Sequence, residues 1–299
     1  MRVTLIGVGN MGEPMAANLV RRGGFEVTLF DADRARASAV AARLGCRAAG
    51  TLAEAARCEV CVTMLPTGAI VAEVLTAAED GAFLAHAAPG TVVVDMSSSE
   101  PLGTRSTGRA LAARSVVLLD APVSGGVARA IDATLAIMIG ADDEAAVERA
   151  RPVLEALGQR LFRVGPLGAG HAMKAANNFV AAATYAATAE ALAIGQRCGL
   201  DARMMIDIMN VSTGRSFVSE VVMKEHVLTG RHATGFSLGL LAKDVGIAAA
   251  LGEELGVDAP LTRLTRERWN LARERRGAAR DHSEALLGWY GPPGPEEKP

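Results

Sequence analysis

Short apolar runs recur through the first half of the chain, each closed by glycine, proline or a polar cluster. The first is Arg2 to Val8, with Val3, Leu5, Ile6 and Val8 ahead of a glycine turn. The same form returns at Glu26 to Phe30, Glu59 to Leu65, Thr91 to Asp95, Val116 to Ala121, Thr134 to Ile139 and Arg160 to Val164. Runs of this length bounded by turn residues predict buried strands. Between them lie stretches with helical character at Met11 to Arg22, Ala32 to Leu44, Leu52 to Arg57, Ala69 to Ala78 and Leu102 to Ala113. A further helix ends at Leu157, with Asp142 placed to cap it. This alternation predicts a mostly parallel sheet with helices on both faces. Past the glycine-rich junction from Gly165 to Gly170 the strands stop. Helices are expected at Gly168 to Gly199, Ala202 to Val211, Phe217 to Leu228, Gly239 to Gly256 and Leu261 to Arg276. The division is a sheet domain over 1–165 and an all-helical domain over 166–290, joined through the long helix. A Pro- and charge-rich tail at 291–299 has the composition of a disordered segment.

The long helix carries the most informative polar residues. Small apolar side chains on every face predict a buried helix, one that would reach roughly 40 Å. Near its start stand His171, Lys174, Asn177 and Asn178, with Lys174 and Asn178 four apart on one face. The chain has 31 Lys plus Arg, but Lys occurs only at 174, 224, 243 and 298. Arginine keeps its proton in proteins, whereas a partly desolvated lysine can exchange one. A general acid/base on this helix would therefore be Lys174; on its own, a solvated or carboxylate-paired lysine explains it equally well. Lys243-Asp244, in an apolar stretch, reads as a satisfied buried pair or as part of a binding wall.

Composition narrows the function classes. Half the residues are hydrophobic and the net charge is −2, which leaves no global basic field for nucleic acid. No apolar run is long enough for a membrane span, and Met1-Arg2 leads straight into a strand without the layout of a signal peptide. A cytoplasmic enzyme or binding protein is expected. Cys58 and Cys61 match C-x-x-C, but with no second pair and no nearby His they read as structural thiols, and no metal site is expected. Arg273 to Arg280, with four Arg, reads as a solvated helix end.

Gly7-Val8-Gly9-Asn10-Met11-Gly12 matches G-x-G-x-x-G, follows a predicted strand, opens a predicted helix, and precedes Asp31 by nineteen positions counted from Gly12. That context is the Rossmann fingerprint, in which glycines admit a pyrophosphate and the acid accepts ribose hydroxyls. A 2′-phosphate would meet the charge of Asp31, so NAD is expected over NADP. Polar residues gather where the other strands end, at Leu65-Pro66-Thr67, Ser97-Ser98 and Ser124-Gly125-Gly126. The last offers consecutive N–H groups beside a hydroxyl, a cradle for a carboxylate or else an ordinary turn.

Together these residues resemble the β-hydroxyacid dehydrogenase family, of the 3-hydroxyisobutyrate dehydrogenase and tartronate semialdehyde reductase type. The motifs that carry the resemblance are Gly7 through Leu19, Asp120 through Gly126, Gly168 through Asn178, and Lys243-Asp244. They span Met1 to about Tyr290. Asp281-His282-Ser283 is more like the tartronate enzymes, and Ser212 to Ser216 more like the hydroxyisobutyrate enzymes. The resemblance implies Lys174 as the acid/base and Ser124, Gly125, Gly126, Asn178 and Lys243 as substrate contacts. It implies a cofactor set of Gly7, Gly9, Asn10, Met11, Gly12, Asp31, Leu65, Pro66, Ser98 and Lys243. The activity implied is reversible hydride transfer between NAD(H) and a small 3-hydroxy acid or its semialdehyde, in a homo-oligomer, dimer or tetramer. The rival from another class is an NAD-binding sensor or interaction protein without turnover, since fold alone does not establish function. Intact Lys174, Asn178 and Ser124-Gly125-Gly126 weigh against it.

Overall fold

The computed structural model of the chain describes residues 1–77 and 83–291. The expected tail lies, from residue 292 onward, outside those residues, as does Ala78. The chain divides into two compact units, Met1–Lys174 and Ala175–Pro299. The boundary falls inside the long helix, beyond the glycine junction where the sequence suggests it.

The first unit is a sheet with helices on both faces. In chain order it runs β1 (Arg2–Ile6), α1 (Gly12–Arg22), β2 (Glu26–Phe30), α2 (Arg34–Leu44), β3 (Arg47–Ala48), α3 (Leu52–Ala55), β4 (Val60–Thr63), α4 (Gly68–Thr76), α5 (Phe83–His86), β5 (Val92–Asp95), α6 (Pro101–Ala112), β6 (Val117–Asp120), β7 (Val123–Ser124), α7 (Gly126–Ile131), β8 (Leu135–Gly140), α8 (Glu144–Leu157) and β9 (Gly158–Gly165). The strand order is β3-β2-β1-β4-β5-β6-β8-β7, with β9 beside β8. Pairs from β3 through β6 are parallel, while β8 runs antiparallel to β6 and β7 and parallel to β9. Because both faces are covered there, the central strands β4 and β5 are buried at every residue. Val60 and Val62 of β4 join one core with Met15, Leu19 and Val40, whereas Cys61 between them joins the other with Leu75, Phe83 and Leu111.

Caps set several helix starts. Asp33, Thr51 and Thr67 each accept from an N–H in the first turn of α2, α3 and α4. At α8 the cap is Asp143, whose side chain accepts from the Ala146 N–H, and not Asp142. Asp142 instead accepts from the Leu167 N–H at 3.0 Å and ties down the junction before the long helix. Both acids fit the sequence signal, and a one-residue shift decides which carboxylate the helix receives.

The long helix, α9, spans Ala169–Arg197. It is not buried on every face. His171, Ala175, Asn178, Ala182, Tyr185, Ala189 and Leu192 form one buried stripe, while Met173, Val180 and Ile194 are 43%, 60% and 59% exposed. Alternating steps of three and four make that stripe a helix face; small apolar residues on the other face hide the period from the sequence.

The second unit continues with α10 (Ala202–Asn210), a π-helix (Val218–Val227), α11 (Leu238–Glu254), α12 (Pro260–Arg276), a 3₁₀ turn (His282–Glu284) and α13 (Ala285–Tyr290). Its core centres on Tyr185, Trp269 and Trp289, whose rings lie 5.4–5.8 Å apart. Each polar tip is satisfied. Tyr185 donates to the Ser283 carbonyl at 2.7 Å, Trp269 to Ala182 and Trp289 to Arg268. The arginine-rich end of α12 is not merely solvated: Arg276 and Arg280 both bind the buried Glu284, and Arg275 donates to the Gly288 carbonyl. Among the described residues no helix is long and apolar enough to cross a membrane.

Candidate active site

At the carboxyl end of β1 three glycines have three different reasons. Gly7 sits at φ +96°, and a Cβ there would lie 2.9 Å from Leu65 Cδ2 and closer still to the Met64 carbonyl oxygen. A Cβ on Gly12 would press into the Gly7 carbonyl oxygen, so the start of α1 packs directly on the loop. At Gly9 no described atom lies within 4 Å of the Cβ position. Two glycines thus allow the chain to fold on itself, and the third leaves bare backbone facing open space. No side chain caps α1 at Met11. Open backbone beside an uncapped helix N-terminus fits the pyrophosphate of a dinucleotide.

Asp31 closes the same corner from the end of β2. Its Oδ2 accepts from the Val8 N–H and its Oδ1 from the Asp33 N–H, both at 2.9 Å, with Arg36 at 3.7 Å. A carboxylate has about four acceptor sites, so bonding the glycine loop leaves capacity for ribose hydroxyls. Arg34 stacks on Phe30, 3.9 Å from the ring centre. Leu65 and Pro66 follow β4 and Ser98 follows β5. The two loops are joined because the Leu65 N–H donates to Ser97 Oγ at 2.9 Å. Further down β4, burial pushes the Cys61 thiol well up, and its donation to Cys58 holds the Cys58 thiol low.

The Ser124-Gly125-Gly126 turn follows β6 through Pro122. Val123 pairs with Ile137 of β8, then the chain turns with φ +133° at Gly125 and +66° at Gly126. Only glycine adopts such angles at little cost. The stem of Arg129 folds back over Gly125, where a Cβ would be less than 3.0 Å from it.

The base of α9 is held by groups whose role the sequence does not announce. Asp120, the last residue of β6 and fully buried, accepts from the N–H groups of Gly168 and His171, each at 2.7 Å. Glycines make room for it. A Cβ on Gly140 or Gly170 would stand within 3.0 Å of this carboxylate. The His171 ring lies between Asp120 and Asp95, with Nδ1 2.7 Å from Thr104 Oγ1 and Nε2 3.6 Å from Asp95 Oδ2. Asp95 in turn accepts from Thr63, Ser97 and Ser99 at 2.8–3.0 Å. One turn beyond His171, Lys174 is half-buried.

In the second unit, Asn178 is buried and its Nδ2 donates to Asp244 Oδ2 at 2.6 Å. Lys243 Nζ stands 3.4 Å from the other oxygen of Asp244. The pair at 243–244 is therefore a buried carboxylate that serves both Asn178 and Lys243. Apart from Lys174 and the Ser124-Gly125-Gly126 turn, the expected residues fall in two groups. Gly7, Gly9, Asn10, Met11, Gly12, Asp31, Leu65, Pro66 and Ser98 lie at strand ends of the first unit; Asn178 and Lys243 meet around Asp244 in the second. Asp95, Thr104 and Asp120 were not singled out as site residues. Gly170 is the trace that Asp120 leaves in the sequence, while Gly168 answers to its φ of +89° and to Pro101 and Arg105.

A third polar cluster surrounds Asp281-His282-Ser283. Asp281 accepts from Thr234 and Ser283, and His232 Nδ1 lies 3.2 Å from Ser283 Oγ. Burial lowers the His282 imidazole pKa. Burial pushes Asp281 and Glu284 up, but bonds from Ser283 and Thr234 to Asp281, and from Arg276 and Arg280 to Glu284, outweigh it and leave both carboxyls low.

Comparison with known proteins agrees with this fold. Residues 2–165 match the family described as the NAD binding domain of 6-phosphogluconate dehydrogenase. Residues 168–289 match the NAD-binding domain of NADP-dependent 3-hydroxyisobutyrate dehydrogenase. The chain is 36% identical to 2-(hydroxymethyl)glutarate dehydrogenase of Eubacterium barkeri, covering 97% of this chain and 95% of that one. It is 37% identical to NAD-dependent L-serine dehydrogenase of Pseudomonas aeruginosa, covering 94% and 95%. Among solved structures, 3-hydroxyisobutyrate dehydrogenase of Mycobacterium tuberculosis with L-serine superposes with a TM-score of 0.88 at 33% identity, covering 97% and 99%.

Proposed function

The chain belongs to the β-hydroxyacid dehydrogenase family, and from that premise we propose that it interconverts a small 3-hydroxy acid and its semialdehyde with NAD(H). The observation that carries the reading is the pinned base of α9. Asp120 binds two N–H groups at the helix start and is also the residue from which the chain runs on to Ser124. A half-buried lysine one turn along is thereby held at a fixed place relative to the carboxylate-cradle turn.

The bound dinucleotide supplies the two-electron redox chemistry. Gly7, Gly9 and Gly12, with Asn10 and Met11, present backbone to its pyrophosphate. Asp31 takes the ribose hydroxyls, and its charge disfavours a 2′-phosphate, which makes NAD the preferred cofactor. Leu65, Pro66 and Ser98 border the dinucleotide from the strand ends. Ser124, Gly125 and Gly126 bind the substrate carboxylate. Lys174 takes the proton of the substrate hydroxyl in oxidation and returns it to the carbonyl oxygen in reduction. Asn178, oriented by Asp244, and Lys243 contribute the remaining polar contacts.

The substrate class follows from what the relatives share. 3-Hydroxyisobutyrate, L-serine and 2-(hydroxymethyl)glutarate all contain HO–CH2–CH(R)–COO⁻ and differ in R, as does glycerate, the reduced partner of tartronate semialdehyde. We take this unit as the substrate class. The same reading makes the protein a homo-oligomer, supported by the exposed apolar face of α9 at Met173, Val180 and Ile194.

Lys174→Arg tests the mechanism because it keeps the charge and removes the transferable proton. Positioned acid/base groups contribute about 10²–10⁴-fold, so kcat should fall by at least that order while NADH binding survives. Near-native turnover of folded Lys174→Arg protein would falsify the assignment.

A further inference from the structure

We infer that His171 is a positioning residue: it holds the first turn of α9, and through it the Lys174 side chain, in register with the strand ends that carry the rest of the site. The inference rests on the reading of Lys174 as the acid/base.

The first turn of a helix is where backbone N–H groups lack partners and where helices fray. Here that turn is tied down from two elements, and a third faces it. Asp120 at the end of β6 takes the N–H groups of Gly168 and His171 at 2.7 Å. Thr104 of α6 meets His171 Nδ1 at 2.7 Å. Asp95 at the end of β5 faces Nε2 at 3.6 Å. The imidazole is 1% exposed, and both carboxylates are at or below 2%.

Thr104 Oγ1 meets His171 Nδ1 at 2.7 Å and also lies 3.1 Å from the Glu100 carbonyl, so one hydroxyl ties the ring to α6. That contact fixes the ring plane and leaves the buried Nε2 on the side of Asp95, 3.6 Å away and without a hydrogen bond among the described residues. Asp95 receives Ser97, and Ser97 Oγ accepts from the Leu65 N–H. The loops after β4 and β5 thus meet at Asp95, beside the ring that Thr104 holds at the turn preceding Lys174. His171 and Lys174 are three apart, so they stand one above the other on the helix.

An apolar side chain of similar bulk would fill the space without fixing the turn. Displacement of a catalytic group by about 1 Å can cost on the order of 10²-fold. His171→Leu should accordingly lower kcat roughly ten- to a hundred-fold while NADH binding stays near native. His171→Asn places an amide close to the Nδ1 position, able to bond the Thr104 hydroxyl as donor or acceptor, and should recover most of that loss. A residue acting only through Lys174 has nothing to act on once Lys174 is gone.

The experiment is a double-mutant cycle with chemical rescue. Wild type, His171→Leu, Lys174→Ala and the double variant are assayed on 3-hydroxyisobutyrate, with and without added ethylamine. NADH fluorescence and melting confirm that each is folded. Should the leucine variant not fold, Thr104→Val, which removes the hydroxyl and keeps the bulk, replaces it in the cycle. We expect the position-171 penalty to vanish in the Lys174→Ala background, with ethylamine rescuing both lysine-less proteins to the same level. An undiminished penalty there overturns the positioning role, as does native kcat in a merely less stable His171→Leu protein. Near-native turnover of Lys174→Ala alone overturns instead the underlying reading of Lys174.

Discussion

Alanine at each of the three loop glycines separates folding from cofactor binding. At Gly9 the φ angle is not positive and no described atom lies within 4 Å of the new methyl. Its cost to the fold should therefore stay within about 0.5 kcal/mol, the range of an uneventful surface substitution. At Gly12 the methyl would enter the Gly7 carbonyl, and at Gly7 it would meet the Met64 carbonyl with φ at +96°. Neither neighbour is a flexible side-chain tip, so overpacking of about 1–3 kcal/mol is expected at Gly12 and at least that at Gly7. At about 2–4 °C per kcal/mol for a chain of this size, Gly12→Ala should melt several degrees lower than wild type and Gly9→Ala should not. Binding orders the variants differently. A methyl at Gly9 occupies the space a pyrophosphate needs and breaks one or two bonds from backbone N–H to charged oxygen. Such bonds contribute about 1.5–3 kcal/mol each, so the Kd for NADH should rise at least roughly tenfold. Melting curves and NADH fluorescence titration on the three proteins decide the matter. A Gly9→Ala protein that binds NADH like wild type, or that melts as low as Gly12→Ala, would refute the division of roles.

Three other outcomes follow from the same geometry. Asp31→Ala should narrow the preference for NAD(H) over NADP(H) in kcat/KM, and it should also lower Tm because Val8 and Asp33 lose their acceptor; equal use of both cofactors by the native protein would rule out the charge argument. Gly125→Ala forces an alanine to φ +133° and displaces the Arg129 stem, so substrate KM should rise far more than the Kd of NADH, and parallel losses would make the turn purely structural. Acid should loosen the end of the second unit: His282, Asp281 and Glu284 all have folded pKa values below their ordinary ones, so the unfolded chain binds more protons. Stability is then lost as pH falls, from about 6.5 downward through His282 and from about 4.5 downward through the carboxyls. The two tryptophans of the chain, Trp269 and Trp289, pack in this unit, and an unchanged fluorescence Tm between pH 7 and 5 would contradict the sign worked out for His282.

The order of elements was legible because the central strands β1, β4, β5 and β6 are mostly apolar runs, each stopped by glycine, proline or a polar residue. Glu26–Phe30 agrees to the residue. The short elements were not legible. Arg47–Ala48 and Val123–Ser124 have two residues each, too few for any period to register. The side chains of α9 misled for a different reason. Alanine fits a buried face and an exposed one equally, so a run of alanines gives no moment, and the buried stripe through Tyr185 shows only against its partners.

Residues proposed to meet cofactor or substrate lie in patterns that a sequence displays, whereas residues that place them do not. Gly7, Gly9, Gly12 and Lys174 belong to local patterns whose spacing carries meaning within a few positions. Asp120 acts 48 and 51 positions away, at Gly168 and His171, and His171 meets Thr104 across 67. Nothing near Asp120 distinguishes a strand-terminal aspartate that caps a distant helix from one that ends in solvent. What remains local is the accommodation made for it. Gly140 and Gly170 are each forbidden a Cβ by the same carboxylate, and Gly170 also supplies the second glycine of the pattern before Lys174. A glycine pattern ahead of a helix proposed to carry the acid/base can therefore record where another element's side chain enters, and not only where a ligand does. On this chain the two cases separate cleanly: Gly9 faces open space and Gly170 faces Asp120. That contrast is why Gly9 is a test of cofactor binding and Gly170 a test of how Lys174 is held.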